Sequence, residues 1–312
     1  MTTLLPIPSQ TSHGSLLWSV IRGRTHPGLA WGKKRFALKF LLRCCCYPKV
    51  SFDYLQALTQ LEAFPRLMDQ QGLLPAKIHR PYLSAGFTLR QRALTILGHY
   101  QFIAAVQSPT LRQLFSQTSL TPWLTLSGAN DSSFQFSYGP ARFDREGEAT
   151  ICLSYQQQSV ATVTFVLTPA GMMIGGLQGP GHDDANTLIR EATRAAYGLF
   201  PKRLLMDVVM MLASACGMPK ILAVSEETHV FRSLRYRRSK QAKFFASYRD
   251  FWESLGGVSN TQGLFELPLQ LTRKPLEEVV SKKRAEYRRR YQLLDNLAQQ
   301  FDTAVGEDAG TR

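Results

Sequence analysis

Apolar positions recur at helical spacing from Leu16 to about Leu126. Phe36, Phe40 and Cys44, with Leu41 beside them, share one face of a stretch otherwise rich in Lys and Arg, and Pro48 ends it. Leu55, Leu58 and Leu61 predict a second helix over 52–64. Ala93, Leu97, Tyr100 and Ala104 predict a third over 89–106, and 110–117 reads as a short one. The texture changes near Ser132. Phe134, Phe136 and Tyr138 alternate with polar residues, the period of a half-buried strand, until Gly139-Pro140 interrupts them. The stretches 149–155 and 160–167 are β-branched or alternating, and Pro169-Ala170-Gly171 turns the chain into 172–177. These last three strands, so close in sequence and joined by short turns, predict an antiparallel meander.

Helices then return. Asp183 or Asp184 can cap the first, because a short carboxylate accepts the unpaired amides of a first turn. Leu188, Ile189, Ala192, Ala195, Ala196 and Leu199 form its apolar stripe. Pro201 opens a second helix, buried through Leu204, Leu205, Val208, Val209, Leu212 and Cys216 and stopped by Gly217. The run 221–224 is short and apolar, as a buried strand is. An aromatic helix over 242–255 closes at Gly256-Gly257, and 264–271 reads as a last strand. One long helix over 276–301 follows, with Val280, Tyr287, Tyr291, Leu294, Ala298 and Phe301 on one face. The expectation is an α+β chain: a flexible segment over 1–30, a helical region over 31–130, an α+β domain over 131–301 and a disordered tail over 302–312.

Composition narrows the class. The chain has 312 residues, 44% of them hydrophobic and 19% charged, which excludes collagen, coiled coil and wholesale disorder. No apolar run approaches the roughly 18 residues that span a bilayer, and the start of the chain lacks a secretory pattern. The five cysteines show no zinc spacing and an odd count, which suits thiols in a reducing, cytoplasmic setting and leaves no metal site. The net charge of +14 is clustered. Lys33, Lys34, Arg35, Lys39, Arg43 and Lys49 form one group. Arg232, Arg235, Arg237, Arg238, Lys240 and Lys243 form the second, and Lys282, Lys283, Arg284, Arg288, Arg289 and Arg290 the third. Together they hold 18 of the 37 basic residues, so an anionic partner is expected to meet these places. Residues 33–47 mix cations with Phe, Leu and Cys as an interfacial helix does, which points to anionic lipid headgroups. The cations and aromatics of 235–245 also suit RNA, although no nucleic-acid-binding motif accompanies them.

The stretch most informative about chemistry is Gly175-Gly176-Leu177-Gln178-Gly179-Pro180-Gly181, set between a strand end and a helix start. Such glycines admit close approach of a ligand to the backbone, and the helix behind them offers free amides to an anion; they serve equally as a tight turn. Glu146 and Glu148, with Asp144 and Arg145, read as a charged surface turn. Ser225, Glu226, Glu227 and His229 follow the buried strand, where active sites often lie. Ser225 with His229 lacks the surroundings of a nucleophile elbow, so a structural serine with solvent-facing carboxylates is the simpler reading. Tyr248 sits at helical spacing with Phe244, Phe251 and Trp252, as core aromatics do, and His99 and Tyr100 read as packing.

The strand, glycine loop and helix resemble the phosphate loop of the GCN5-type acetyltransferase fold, and 221–224, 242–255 and 264–271 resemble that fold's later elements. Gln178 and Gly181 match its loop pattern, whereas Asp183 stands where glycine or alanine is usual. The resemblance implies an acetyltransferase-like architecture in which Gly176, Gln178, Gly179 and Gly181 hold a coenzyme A thioester. His182 or Glu227 would then deprotonate an amine, and Tyr248 would protonate the leaving sulfur. Several longer stretches together resemble the VirK/YbjX family: Arg145 to Glu148, Ile174 to Pro180, Ala192 to Leu205, Ile221 to Ser225, Phe265 to Leu269, Lys274 to Glu278 and Ser281 to Tyr291. That resemblance covers about 50–301. It implies a bacterial factor in envelope integrity, virulence and resistance to antimicrobial peptides, and it brings no catalytic residue.

Overall fold

The computed structural model describes residues 30–181, 184–232 and 248–306. The expected flexible start, His182, Asp183, the arginines 235–238, Lys240, Lys243, residues 242–247 of the aromatic helix and the end of the tail lie outside them. The chain divides into two compact units, Met1–Tyr82 with Gly86–Gln101, and Leu83–Ala85 with Phe102–Arg312.

The first unit is helical: α1 Lys34–Cys46, α2 Pro48–Thr59, α3 Phe64–Gln70, α4 Leu74–Lys77 and most of α5 Leu89–Ala105. Pro48 separates α1 from α2 by serving as the first residue of α2, where its missing N–H costs nothing. The helix expected over 52–64 therefore starts earlier, stops at Thr59, and hands Phe64 to α3. Ala37, Phe40 and Cys44 are the buried face of α1. Trp31 closes over it, with its ring edge-on to Phe36 and Phe40 and its indole N–H donating to the Gly72 carbonyl. Lys77 is 3% exposed and is accommodated by Gln71 Oε1 at 3.1 Å and the face of the Tyr82 ring at 5.1 Å. Tyr54 donates to the Leu74 carbonyl at 2.9 Å, and His99 and Tyr100 are buried.

The second unit is built on eight strands: β1 Thr121–Ser127, β2 Ser133–Pro140, β3 Ala149–Tyr155, β4 Gln158–Thr168, β5 Gly171–Gln178, β6 Ile221–Val224, β7 Val258–Ser259 and β8 Leu264–Leu267. They lie in the order β1-β2-β3-β4-β5-β6-β8-β7. The meander expected from three strands has five, because β1 and β2 join it. β1 lies in the stretch read as helical, where only Leu124 and Leu126 alternate into the core and Pro122 blurs the period. β2 runs through Gly139-Pro140 rather than breaking there. Proline is its last residue, and Gly139 lets the backbone of Ser119 and Leu120 come within 2.7–2.8 Å of where a Cβ would stand. Gln156 and Gln157, both at positive φ, make the two-residue turn between β3 and β4 without a glycine. One neighbouring pair, β5 and β6, is parallel, so the sheet is mixed and mainly antiparallel.

Helices α6 Pro109–Phe115, α7 Ala185–Ala195, α8 Pro201–Ala215, α9 Tyr248–Ser254 and α10 Arg284–Val305 complete the unit. α8 packs on β3 and β4, and α10 packs on β1 and α8. The buried face of α10 is Leu293, Leu297, Phe301 and Val305. Of the face expected from the sequence only Phe301 is among these: two 3₁₀ turns precede Arg284, and Val280 is 64% exposed. Gly306 at φ +76° ends the helix. Pro268 stops β8 four residues short of the expected end. Among the described residues no helix is long and apolar enough to cross a membrane.

Unit one also holds a titratable cluster. His79 Nε2 lies 3.4 Å from Ser51 Oγ and 3.6 Å from Cys44 Sγ. Burial, then the cations Arg43 and Arg92, push the imidazole down from 6.5 to about 4, and burial pushes the Cys44 thiol up to about 11. A histidine held neutral when folded but protonated when unfolded stabilises the fold above pH 6.5, and that contribution is lost as pH falls toward 4. The urea midpoints of the wild type and His79→Gln are therefore expected to diverge between pH 6.5 and 4. The wild type should lose roughly 3 kcal/mol more across that window, and parallel profiles would contradict the assignment.

Candidate active site

The site begins with a loop that the sequence disguises. Residues 141–148 join β2 to β3, closed by Ala141 N–H to Glu148 O at 2.9 Å and Glu146 N–H to Phe143 O at 2.9 Å. Gly147 lies directly on β4, where a methyl group would stand 2.5 Å from the Phe165 carbonyl oxygen. Glu146 and Glu148 on either side of it are turned inward, 1% and 3% exposed. The charged surface turn expected here is thus a buried pair of carboxylates, because a glycine without Cβ lets the chain press flat on the sheet.

Glu146 decides the shape of β5. Its backbone carbonyl fills the space a side chain would need at Gly175, and its carboxylate fills that at Gly176. Gly175 is the extra residue of a bulge: Thr164 faces Gly176, and Phe165 faces Ile174. The Gln178 amide Nε2 donates to both Glu146 oxygens, at 3.0 and 2.9 Å. His229 Nε2 lies 3.6 Å from Glu146 Oε1. Its Nδ1 accepts from the Phe231 N–H at 3.3 Å, which leaves the proton of a neutral ring on the nitrogen facing Glu146.

A strap, Leu83–Ala85, is laced over the same place. Leu83 N–H donates to Arg145 O at 2.7 Å, Ala85 N–H to Thr228 O at 2.7 Å, and Ser84 bridges His229. Leu83 is held at φ +59°, a left-handed conformation that costs a leucine about 1–2 kcal/mol and persists because its own N–H and the two residues after it are tied down.

An aromatic stack closes the other side. The His229 ring lies on Tyr248 (5.7 Å, 21°) and Tyr248 on Trp252 (5.8 Å, 7°), whose indole donates to Val224 O at 2.9 Å. The Tyr248 hydroxyl accepts from Leu177 N–H at 3.1 Å and donates to Leu177 O at 3.3 Å. Burial, with Glu146 next, raises its pKa above the ordinary phenol value.

The remaining expected residues fall around this core. Ser225 is bonded to Thr228 (3.1 Å between hydroxyls), while the His229 ring faces Glu146 and Tyr248, so no serine–histidine pair forms. Glu226 accepts the Arg249 N–H at 2.9 Å. Glu227 is exposed, and hydrogen bonds from Ser225 and its own backbone, opposed in part by desolvation and aided by Arg249, hold its carboxyl below the usual range. That makes it a weaker base. Gly176 and Gln178 are engaged with Glu146. Gly181 faces open space, and a Cβ on Gly179 would meet nothing nearer than Lys202 Cε, 3.9 Å away. Lys202 is half-buried, and desolvation lowers its pKa. α7 begins just beyond, with Asp184 at its N-cap making no side-chain capping bond. Among the described residues no group of three or more His, Cys, Asp or Glu is placed to hold a metal.

The model of a family described as a protein of unknown function (DUF535) matches residues 30–303. The chain is also 38% identical over 303 residues to the uncharacterized protein YbjX of Escherichia coli (strain K12), covering 95% of this chain and 92% of that one. The chain belongs to the VirK/YbjX family. Two uncharacterized proteins of Haemophilus influenzae match this VirK/YbjX chain over shorter spans, 33% identical over 138 residues and 28% over 151. They are covered to 45% and 49% of their own lengths. No solved structure matches it, so the acetyltransferase-like fold expected from the glycine loop has no structural neighbour behind it.

Tyr248 of this VirK/YbjX chain stands against Leu177, and Gly176 against Glu146, while the pattern of the sequence does not point to Glu146, the His229 contact or Lys202. The available signal was Glu-Gly-Glu in one loop and Gly-Gly inside an apolar strand, two places where backbones touch. A substitution pair separates the two kinds of glycine. Gly176→Ala is expected to cost about 1–3 kcal/mol in urea unfolding, because Glu146 must move, whereas Gly181→Ala is expected to be near neutral. Equal effects would contradict the assignment.

Proposed function

We propose that this chain is an acyl-thioester-dependent acyltransferase, serving the envelope and virulence role that the family resemblance implies. The observation that carries the reading is the parting of β5 from β6. The two strands pair only from Met172 to Ile174 against Ile221 to Ala223, yet β5 continues to Gln178. Along that overrun the N–H and C=O of Leu177 are met by a tyrosine hydroxyl instead of a neighbouring strand. An extended amide-bearing arm, such as the pantetheine of coenzyme A, pairs with a strand edge through the same groups.

The loop after Gln178 suits the phosphates of such a donor. Gly179 and Gly181 leave the main chain accessible, α7 starts behind them, and Lys202 supplies a cation whose burial an anion would relieve. Gly176 and Gln178 support this arrangement by holding β5 on Glu146. His182, rather than the weaker base Glu227, takes the proton of the attacking amine. As the new C–N bond forms and the C–S bond breaks, Tyr248 gives its proton to sulfur. Its raised pKa keeps the hydroxyl protonated until then. Displacing that hydroxyl from Leu177 is what frees it to act.

Calorimetry and thermal unfolding with coenzyme A and acetyl-coenzyme A test the reading. Binding is expected, with a rise in Tm that grows with ligand concentration. Gly181→Ala should weaken binding several-fold while leaving the unliganded Tm unchanged. No heat and no shift at millimolar ligand would overturn it.

A further inference from the structure

Helix α1 has two faces with different tasks. One buries Ala37, Phe40 and Cys44. The other leaves Leu38 and Leu42 each 57% exposed, with Cys45 and Cys46 exposed in the next turn and Tyr47 57% exposed beyond it. Positions 38, 42, 45 and 46 fall on one stripe of a helix. Cations border it: Lys33, Lys34, Arg35, Lys39 and Lys49 are all exposed. No ion pair is made by Lys34, Arg35, Lys39 or Lys49 among the described residues. No acidic residue precedes Asp53 in the sequence.

The charges in the first turns of α1 work against the helix that carries them. Lys34 and Arg35 occupy the first turn, at the positive end of the helix dipole, with no acidic residue there and no side-chain cap at Lys33. Arg35, Lys39 and Arg43 follow one another at four-residue intervals, a like-charge spacing that weakens a helix. Neither the fold of α1 nor its buried face explains this arrangement; an anionic partner does.

We propose that the outer face of α1 docks on an anionic phospholipid surface, with Leu38, Leu42, Cys45 and Cys46 entering the boundary between headgroups and acyl chains while Lys34, Arg35, Lys39 and Lys49 lie among the headgroups. The chemistry selects this occupant. Aliphatic side chains gain from leaving water but offer no ring on which bases stack, so a nucleic acid would leave the stripe unused. A second copy seated face to face would bring the two sets of cations together. The proposal is independent of any acyltransferase activity.

Vesicle co-sedimentation of the full chain tests it. Binding is expected to vesicles of phosphatidylglycerol mixed with phosphatidylcholine, and not to phosphatidylcholine alone, with loss as salt is raised. Leu38→Asp combined with Leu42→Asp should weaken that binding by roughly tenfold or more. Leu120→Asp, a comparably exposed leucine at 46%, should leave it unchanged. Circular dichroism and Tm of both variants should match the wild type, since the substituted side chains are exposed. Undiminished binding by the double variant overturns the proposal. So does binding of a single-stranded oligonucleotide without vesicle binding, or a dimer in light scattering that the double variant dissociates while vesicles are ignored.

Discussion

A carboxylate 1% exposed organises the second unit. Taking Glu146 out of water is expensive unless its oxygens find donors. The Gln178 amide reaches both oxygens, and His229 Nε2 stands 3.6 Å from Oε1. To bring them within reach, the loop must lie flat on β4, which Gly147 allows, and β5 must bulge under the carboxylate, which Gly175 and Gly176 allow. The strained Leu83 strap and the His229–Tyr248–Trp252 stack close over the same point. Residues distant in sequence thus share one constraint.

That constraint explains what was legible in the chain and what was not. Period and punctuation placed β3, β4, β5, β6 and α8 nearly to the residue, because each buries a regular stripe and ends at a turn or proline. β1 escaped because two alternating leucines beside Pro122 are too few to set a period. In α10 the expected face was rotated because the helix starts only at Arg284, so counting from Leu276 carried the phase through two 3₁₀ turns. Four charges between Asp144 and Glu148 look like solvated surface, and nothing local says otherwise. The burial of Glu146 depends on a glycine pair about thirty residues later in the chain.

The glycine run therefore has two parts. Gly175 and Gly176 serve Glu146 and the bulge, while Gly179 and Gly181 lie beyond the strand with room around them. A single motif in the sequence divides into a structural half and an accessible half at Gln178, the residue that holds the carboxylate. The exposed, cation-rich stripe of α1 belongs to the other unit and to a different property of the chain, surface charge rather than buried charge.

A double-mutant cycle measures the central interaction most directly. Urea unfolding of Glu146→Ala, Gln178→Ala and the double variant yields the coupling between the two side chains. The account predicts a favourable coupling of about 1–3 kcal/mol, as for a buried hydrogen bond to a charged group. Additive effects, with coupling near zero, would contradict the claim that Glu146 organises β5.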